Sequence, residues 1–178
     1  ALVYCGFIGG NGEDYTEDIA VDAEGNAYLV GFTASREWTF PVTVGPDLTY
    51  GGGQYDAWIA KVNAEGTGLD YCGYIGGGDV DEAHGVAVDG VGCAYVAGNT
   101  ASTERYFPVR VGPDTTFNGG FCDGFIVKVN AEGSALVYGG YIGGSANDVA
   151  AGVAVDAAGN AYITGTTPST QATFPVRV

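Results

Sequence analysis

The sequence predicts an all-β fold of repeated four-stranded antiparallel sheets, and three observations carry that prediction. Residues that favour strands dominate, with 12 Tyr, 8 Phe and many Val, Ile and Thr, while Met is absent and Lys and Arg together number 6. Glycine is abundant, at 32 of 178 residues, without a Gly-X-Y period and with only 6 Pro, so it punctuates something regular rather than forming a collagen or a linker. The third observation is a repeat of 67 residues that no insertion breaks.

The period carries Leu2-Val3-Tyr4 onto Leu69-Asp70-Tyr71 and Leu136-Val137-Tyr138, and Ile8-Gly9-Gly10 onto Ile75-Gly76-Gly77 and Ile142-Gly143-Gly144. Ala20-Val21-Asp22 recurs as Ala87-Val88-Asp89 and Ala154-Val155-Asp156, and Phe40-Pro41-Val42 as Phe107-Pro108-Val109 and Phe174-Pro175-Val176. Within one unit the first strand is expected from Asp18 to Asp22, where Ile19 and Val21 alternate with smaller or polar residues. Ala23-Glu24-Gly25-Asn26 follows as a tight turn, in which Gly25 and Asn26 can take positive φ. The second strand is Ala27 to Thr33. A long connection leads to the third, Ala57 to Val62, and Asn63-Ala64-Glu65-Gly66 turns the chain into the fourth, Leu69 to Ile75.

A repeated four-stranded sheet buries both faces when copies stack radially about an axis, so each unit is expected to be one blade of a β-propeller. Tyr28, Tyr95 and Tyr162, with Val21, Val88 and Val155, would then pack between blades. The expected organisation is an outer strand in 1–10, a first blade in 11–77, a second in 78–144 and a partial third in 145–178. Propellers close with four to eight blades, so this stretch is an incomplete ring with open faces and an unpaired edge. Either the repeats continue in a longer protein, or copies share strands.

The run Gly-Tyr-Ile-Gly-Gly, an acidic loop, then Gly152 to Gly165 (Gly-Val-Ala-Val-Asp-Ala-Ala-Gly-Asn-Ala-Tyr-Ile-Thr-Gly) and Phe-Pro resembles the bacterial β-propeller repeat called SBBP. Gly51-Gly52-Gly53 with Asp56-Ala57 and Lys61 fits its later part, and the Ala-Val-Asp and Gly-Asn-Ala-Tyr segments are distantly similar to NHL-type repeats. The resemblance implies extracellular, multi-repeat proteins and supplies a fold rather than an activity. The second unit departs from the pattern at Gly90-Val91 and at Cys93, where the other units have Asn26 and Asn160.

A formal charge of −15, from 21 acidic against 6 basic residues, repels phosphate backbones and anionic lipids, which argues against a nucleic-acid partner. No apolar run approaches the roughly 20 residues of a membrane span. A basic leader segment is not visible at the start, so a signal peptide is either absent or already removed.

Catalytic sets are not apparent, and no enzyme activity is expected. The single histidine, His84, aligns with Glu17 and Ala151 and reads as a variable loop position. Asp14, Asp81 and Asp148 in the connection between blades, and Asp56 and Asp123 at the end of the long connection, place two carboxylates per blade at one end, near glycine loops such as Gly76-Gly77-Gly78. Such oxygens suit Ca2+; they equally suit caps on their own turns. No cofactor is required otherwise. In the connection from Ala34 to Tyr55, Trp38 and Tyr50 are candidates for stacking on carbohydrate, whereas Phe40-Pro41 is expected to fold over the blade edge. Cys5 and Cys72 share a repeat position on successive blades, too far apart to bridge each other; with Cys93 and Cys122 they are candidates for disulfides elsewhere or for free thiols. The expected function is a non-enzymatic extracellular scaffold of a surface layer, fibre, sheath or adhesin, partnered by its own copies or further repeats. The alternatives are a carbohydrate- or ligand-binding module, or a lyase or hydrolase whose site lies partly outside this segment.

Overall fold

A computed structural model describes residues 2–175. Ten strands are present among them: β1 Asp14–Val21, β2 Ala27–Thr33, β3 Asp56–Val62, β4 Leu69–Ile75, β5 Asp81–Val88, β6 Ala94–Thr100, β7 Asp123–Val129, β8 Leu136–Ile142, β9 Val149–Val155 and β10 Ala161–Thr166. They form two four-stranded antiparallel sheets, β1-β2-β3-β4 and β5-β6-β7-β8, and a two-stranded sheet, β9-β10, which stack without closing a ring. The all-β, incomplete propeller is therefore the fold of this chain. Among the described residues no helix is long and apolar enough to cross a membrane.

The first strands of successive blades lie against one another, β1 on β5 and β5 on β9, whereas β4 and β8 make no comparable contact. The blades thus converge on their first strands and splay at their fourth. One core fills the seam between the first two sheets, with Tyr28, Val30, Ile59 and Tyr71 facing Val86, Phe107, Phe125 and Tyr141. A second covers the outer face of the first blade around Phe40, Trp58 and Tyr74, and a third lies between the second and partial third blades around Tyr95, Ile126 and Ala150.

The first strand begins four residues earlier than expected, at Asp14, because a bulge after Thr16 lets the polar stretch before Asp18 pair with β2. The same irregularity recurs between Ala83 and Gly85. His84 is therefore not a loop residue but the bulged residue of β5, half-buried, with Nε2 bonded to Asn99 Oδ1. In the turn after β1 only Gly25 takes positive φ, at 90°, and Asn26 does not. Asp22 instead closes the turn by accepting from the Glu24 and Asn26 amides at 3.1 and 2.8 Å. The second unit keeps this geometry despite Gly90-Val91 and Cys93, with Gly92 at φ 83° and Asp89 bonded to the Cys93 amide.

Residues 2–10 form no strand, although an outer strand is expected in 1–10, and among the described residues no third strand pairs with them. They nevertheless lie where an outer strand would. A Cβ on Gly66 would overlap the Tyr4 ring, just as one on Gly133 would overlap Tyr71. The long connection folds back over the blade edge, as expected of Phe40-Pro41. Thr43 donates to the Cys72 carbonyl at 3.0 Å, Cys72 to Val44 at 2.8 Å and Tyr74 to Asp47 at 2.8 Å, which covers the free edge of β4. Arg110 and Asp114 make the equivalent bonds to Gly139 and Tyr141. Val176, in the third copy of Phe-Pro-Val, lies outside the described residues.

Candidate functional site

Each blade-to-blade connection ends in an aspartate that organises the turn. Asp81 Oδ2 accepts from the Gly77 amide at 2.7 Å and the Ser102 hydroxyl at 3.0 Å, and its Oδ1 accepts from Thr100 Oγ1. Asp14 is held by Gly10, Ser35 and Thr33 in the same way. Asp148 accepts from Gly144 at 2.7 Å and Ser169 at 2.8 Å, yet its Oδ1 receives nothing. The hydroxyl partners follow the 67-residue period as Thr33-Ala34-Ser35, Thr100-Ala101-Ser102 and Thr167-Pro168-Ser169. That signal was present in the sequence and is the one its reading missed.

The aspartates at the end of the long connection behave differently. Asp56 Oδ2 accepts from Gly51 at 2.5 Å and Asp123 Oδ2 from Asn118 at 2.6 Å, while each Oδ1 is buried without a partner. The two classes of aspartate meet, but across the seam rather than within a blade. A Cβ on Gly76 would stand 2.9 Å from Asp56 Cγ and 3.0 Å from Asp81 Oδ2, so carboxylates of the first and second blades flank one glycine. Both are 0 % exposed. At the second seam a Cβ on Gly143 would overlap Asp123, the neighbouring Gly144 amide is held by Asp148, and the Asp148 amide donates to Cys122. Radial stacking, which brings the third strand of one blade to the first strand of the next, sets which of these carboxylates lie together.

Burial dominates the electrostatics here. It pushes the Asp56 carboxyl up to about 8 despite the Gly51 amide, with Asp81 adding to the rise. Burial likewise raises Asp81 to about 7 against its Thr100 and Gly77 bonds, and Asp123 to about 6 against Asn118 with Asp148 beside it. At the opposite end of each blade the aspartates are lowered instead. Burial raises Asp89, but bonds from the Cys93 amide and Lys128 outweigh it and hold the carboxyl below its usual range. Lys128 Nζ sits 3.1 Å from Asp89 Oδ2 and 2.6 Å from Tyr95 Oη, which also lies 3.2 Å from the Gly159 carbonyl of the next blade.

Of the carbohydrate candidates, Trp38 is 70 % exposed with the Arg36 guanidinium 5.4 Å from its ring, whereas Tyr50 is buried. Tyr50 packs edge-on against Tyr74 and donates to the Gly53 carbonyl, because the connection that carries it folds onto the sheet. The four cysteines are free thiols: Cys5 exposed, Cys93 half-buried, Cys72 and Cys122 buried. Burial pushes the Cys72 thiol up to about 12. Among the described residues no three His, Cys, Asp or Glu side chains group as a metal centre.

The SBBP family, described as a beta-propeller repeat, matches residues 71–104 and 137–170. The chain carries SBBP beta-propeller repeats. Each SBBP match begins in the fourth strand of one blade and runs through the first two strands of the next, so it spans the Gly-Gly turn, the seam aspartate and the Thr-x-Ser hydroxyls. No curated protein matches the chain.

Proposed function

We propose that this chain is a non-enzymatic extracellular scaffold whose SBBP blades stack against further blades, from the same protein or from a second copy, to build a surface structure. The observation that carries the proposal is the change in burial of one repeat position from blade to blade. Ile19 on the outer face of the first blade is 56 % exposed, while its equivalent Val86, covered by that blade, is 5 % exposed. At the other end Tyr162 is 59 % exposed, whereas Tyr28 and Tyr95, each followed by another blade, are fully buried. Exposed apolar positions of this kind mark a face that takes a partner, and the internal seam shows what chemistry fits it.

Light scattering and negative-stain micrographs of the purified chain test the proposal. Concentration-dependent oligomers or filaments are expected, and Ile19→Lys combined with Val21→Lys should abolish them. A wild-type chain that stays monomeric at high micromolar concentration would overturn it. The exposure of Trp38 over Arg36 favours a second reading, glycan binding on the connection after β2, which a loss of glycan-array signal in Trp38→Ala would support.

A further inference from the structure

The seam between blades contains paired carboxylates whose outward needs the protein leaves unmet. Asp56 and Asp81 converge on Gly76, and Asp123 and Asp148 on the Gly143-Gly144 turn. All four are at most 1 % exposed, and Asp56 Oδ1, Asp123 Oδ1 and Asp148 Oδ1 accept no hydrogen bond. A buried carboxylate oxygen without a partner is strongly unfavourable, and native structures resolve it with a proton, a water or an ion. The two lysines that make ion pairs, Lys61 and Lys128, are spent on Asp22, Asp70 and Asp89 at the other end of the blades.

Backbone oxygens gather at the same place. A Cβ on Gly51, whose amide Asp56 holds, would overlap the Gly77 carbonyl, and one on Gly52 would stand 3.6 Å from the Gly78 carbonyl. In the second seam Gly119 faces the Ser145 carbonyl in the same way, at 3.9 Å. Two carboxylates with neutral carbonyl oxygens form a hard, doubly negative set, which suits calcium better than a transition metal; at the second seam the Cys122 thiol is turned to the Asp148 carbonyl, 3.8 Å away.

We propose that each blade seam binds one divalent cation of the calcium class, between Asp56 and Asp81 at the first and between Asp123 and Asp148 at the second. The ion ties the third strand of one blade to the first strand of the next and neutralises charge in a chain of net −15. Asp14 makes the same turn bonds without a third-strand carboxylate beside it among the described residues, so it serves as an internal control.

The experiment is calcium titration calorimetry on the full chain after chelator treatment, with terbium luminescence as a second probe. Two sites per chain are expected, together with a calcium-dependent rise in melting temperature. Asp56→Asn and Asp123→Asn should each remove one site or weaken it by about tenfold or more, and Asp14→Asn should leave both. Circular dichroism establishes that each variant keeps its strands, and if an Asn variant fails to fold, the wild-type stoichiometry and melting shift still decide. Absence of calcium binding by the wild type, or binding that survives both seam substitutions, would overturn the proposal in favour of a shared proton or surface ions.

Discussion

The Tyr71 ring lies directly over Gly133, so that a fourth-strand aromatic of one blade caps the turn between the third and fourth strands of the next. Gly133 also has φ 72°, where an L side chain is strained. Gly133→Ala should therefore destabilise the chain by roughly 2–4 kcal/mol, from left-handed backbone strain plus displacement of a packed ring. Gly66→Ala meets only Tyr4, in a segment without strand pairing, and should cost less in the same urea titration.

The hydroxyl of Tyr95 touches Asp89, Lys128 and the Gly159 carbonyl of the following blade. Tyr95→Phe should lose about 1–2 kcal/mol, the range for a buried hydroxyl in a charged network. The equivalent Tyr162 bonds Asp156 within reach of water, so Tyr162→Phe should change denaturation little. Equal effects from the two would show that the interblade bond contributes nothing.

Removing the hydroxyl that serves Asp81 should cost about 1–3 kcal/mol in Thr100→Val, because a buried carboxylate oxygen loses its donor. Thr167→Val in the partial third blade should be nearly neutral, since Asp148 Oδ1 receives no such bond. Thermal melts of both variants check the difference.

Stability should fall as pH rises through neutrality when calcium is absent. Burial holds Asp56, Asp81 and Asp123 at about 8, 7 and 6, above the ordinary 3.8, so the folded chain keeps protons that the unfolded chain has released. Their contribution is complete below about pH 4 and is lost progressively up to about pH 8. Asp22 and Asp89, lowered against the effect of their burial by Asn26, Tyr28, Cys93 and Lys128 contacts, act oppositely and weaken the fold below about pH 4. Melting temperature in chelator should peak near about pH 4–5, and Asp56→Asn should flatten the decline above it.

The spacing of the repeat made β2 and β4 legible to the residue, because their ends are marked by turns and their apolar residues are dense. β1 was legible only from Asp18, since Asp14-Tyr15-Thr16-Glu17 has no clean alternation and the bulge shifts its phase. The five aspartates were visible as repeated acids, but their pairing was not. Asp56 and Asp81 meet through the angle between sheets, a quantity that a one-dimensional period does not contain. Tyr50 looked available because its connection is long, and the hydrogen bonds that lay that connection along β4 depend on backbone rather than on side-chain pattern.

Those bonds, from Thr43 through Asp47 to Cys72 and Tyr74, decide where a further strand could add in the assembly proposed above. With the rim of each full blade already occupied by its own chain, lateral sheet extension of the amyloid kind has no template there. In the proposed assembly, addition would then fall to the two ends of the stack, where Ile19 and Tyr162 are exposed. An assembly of that kind would lengthen as a line and stop when its ends are covered.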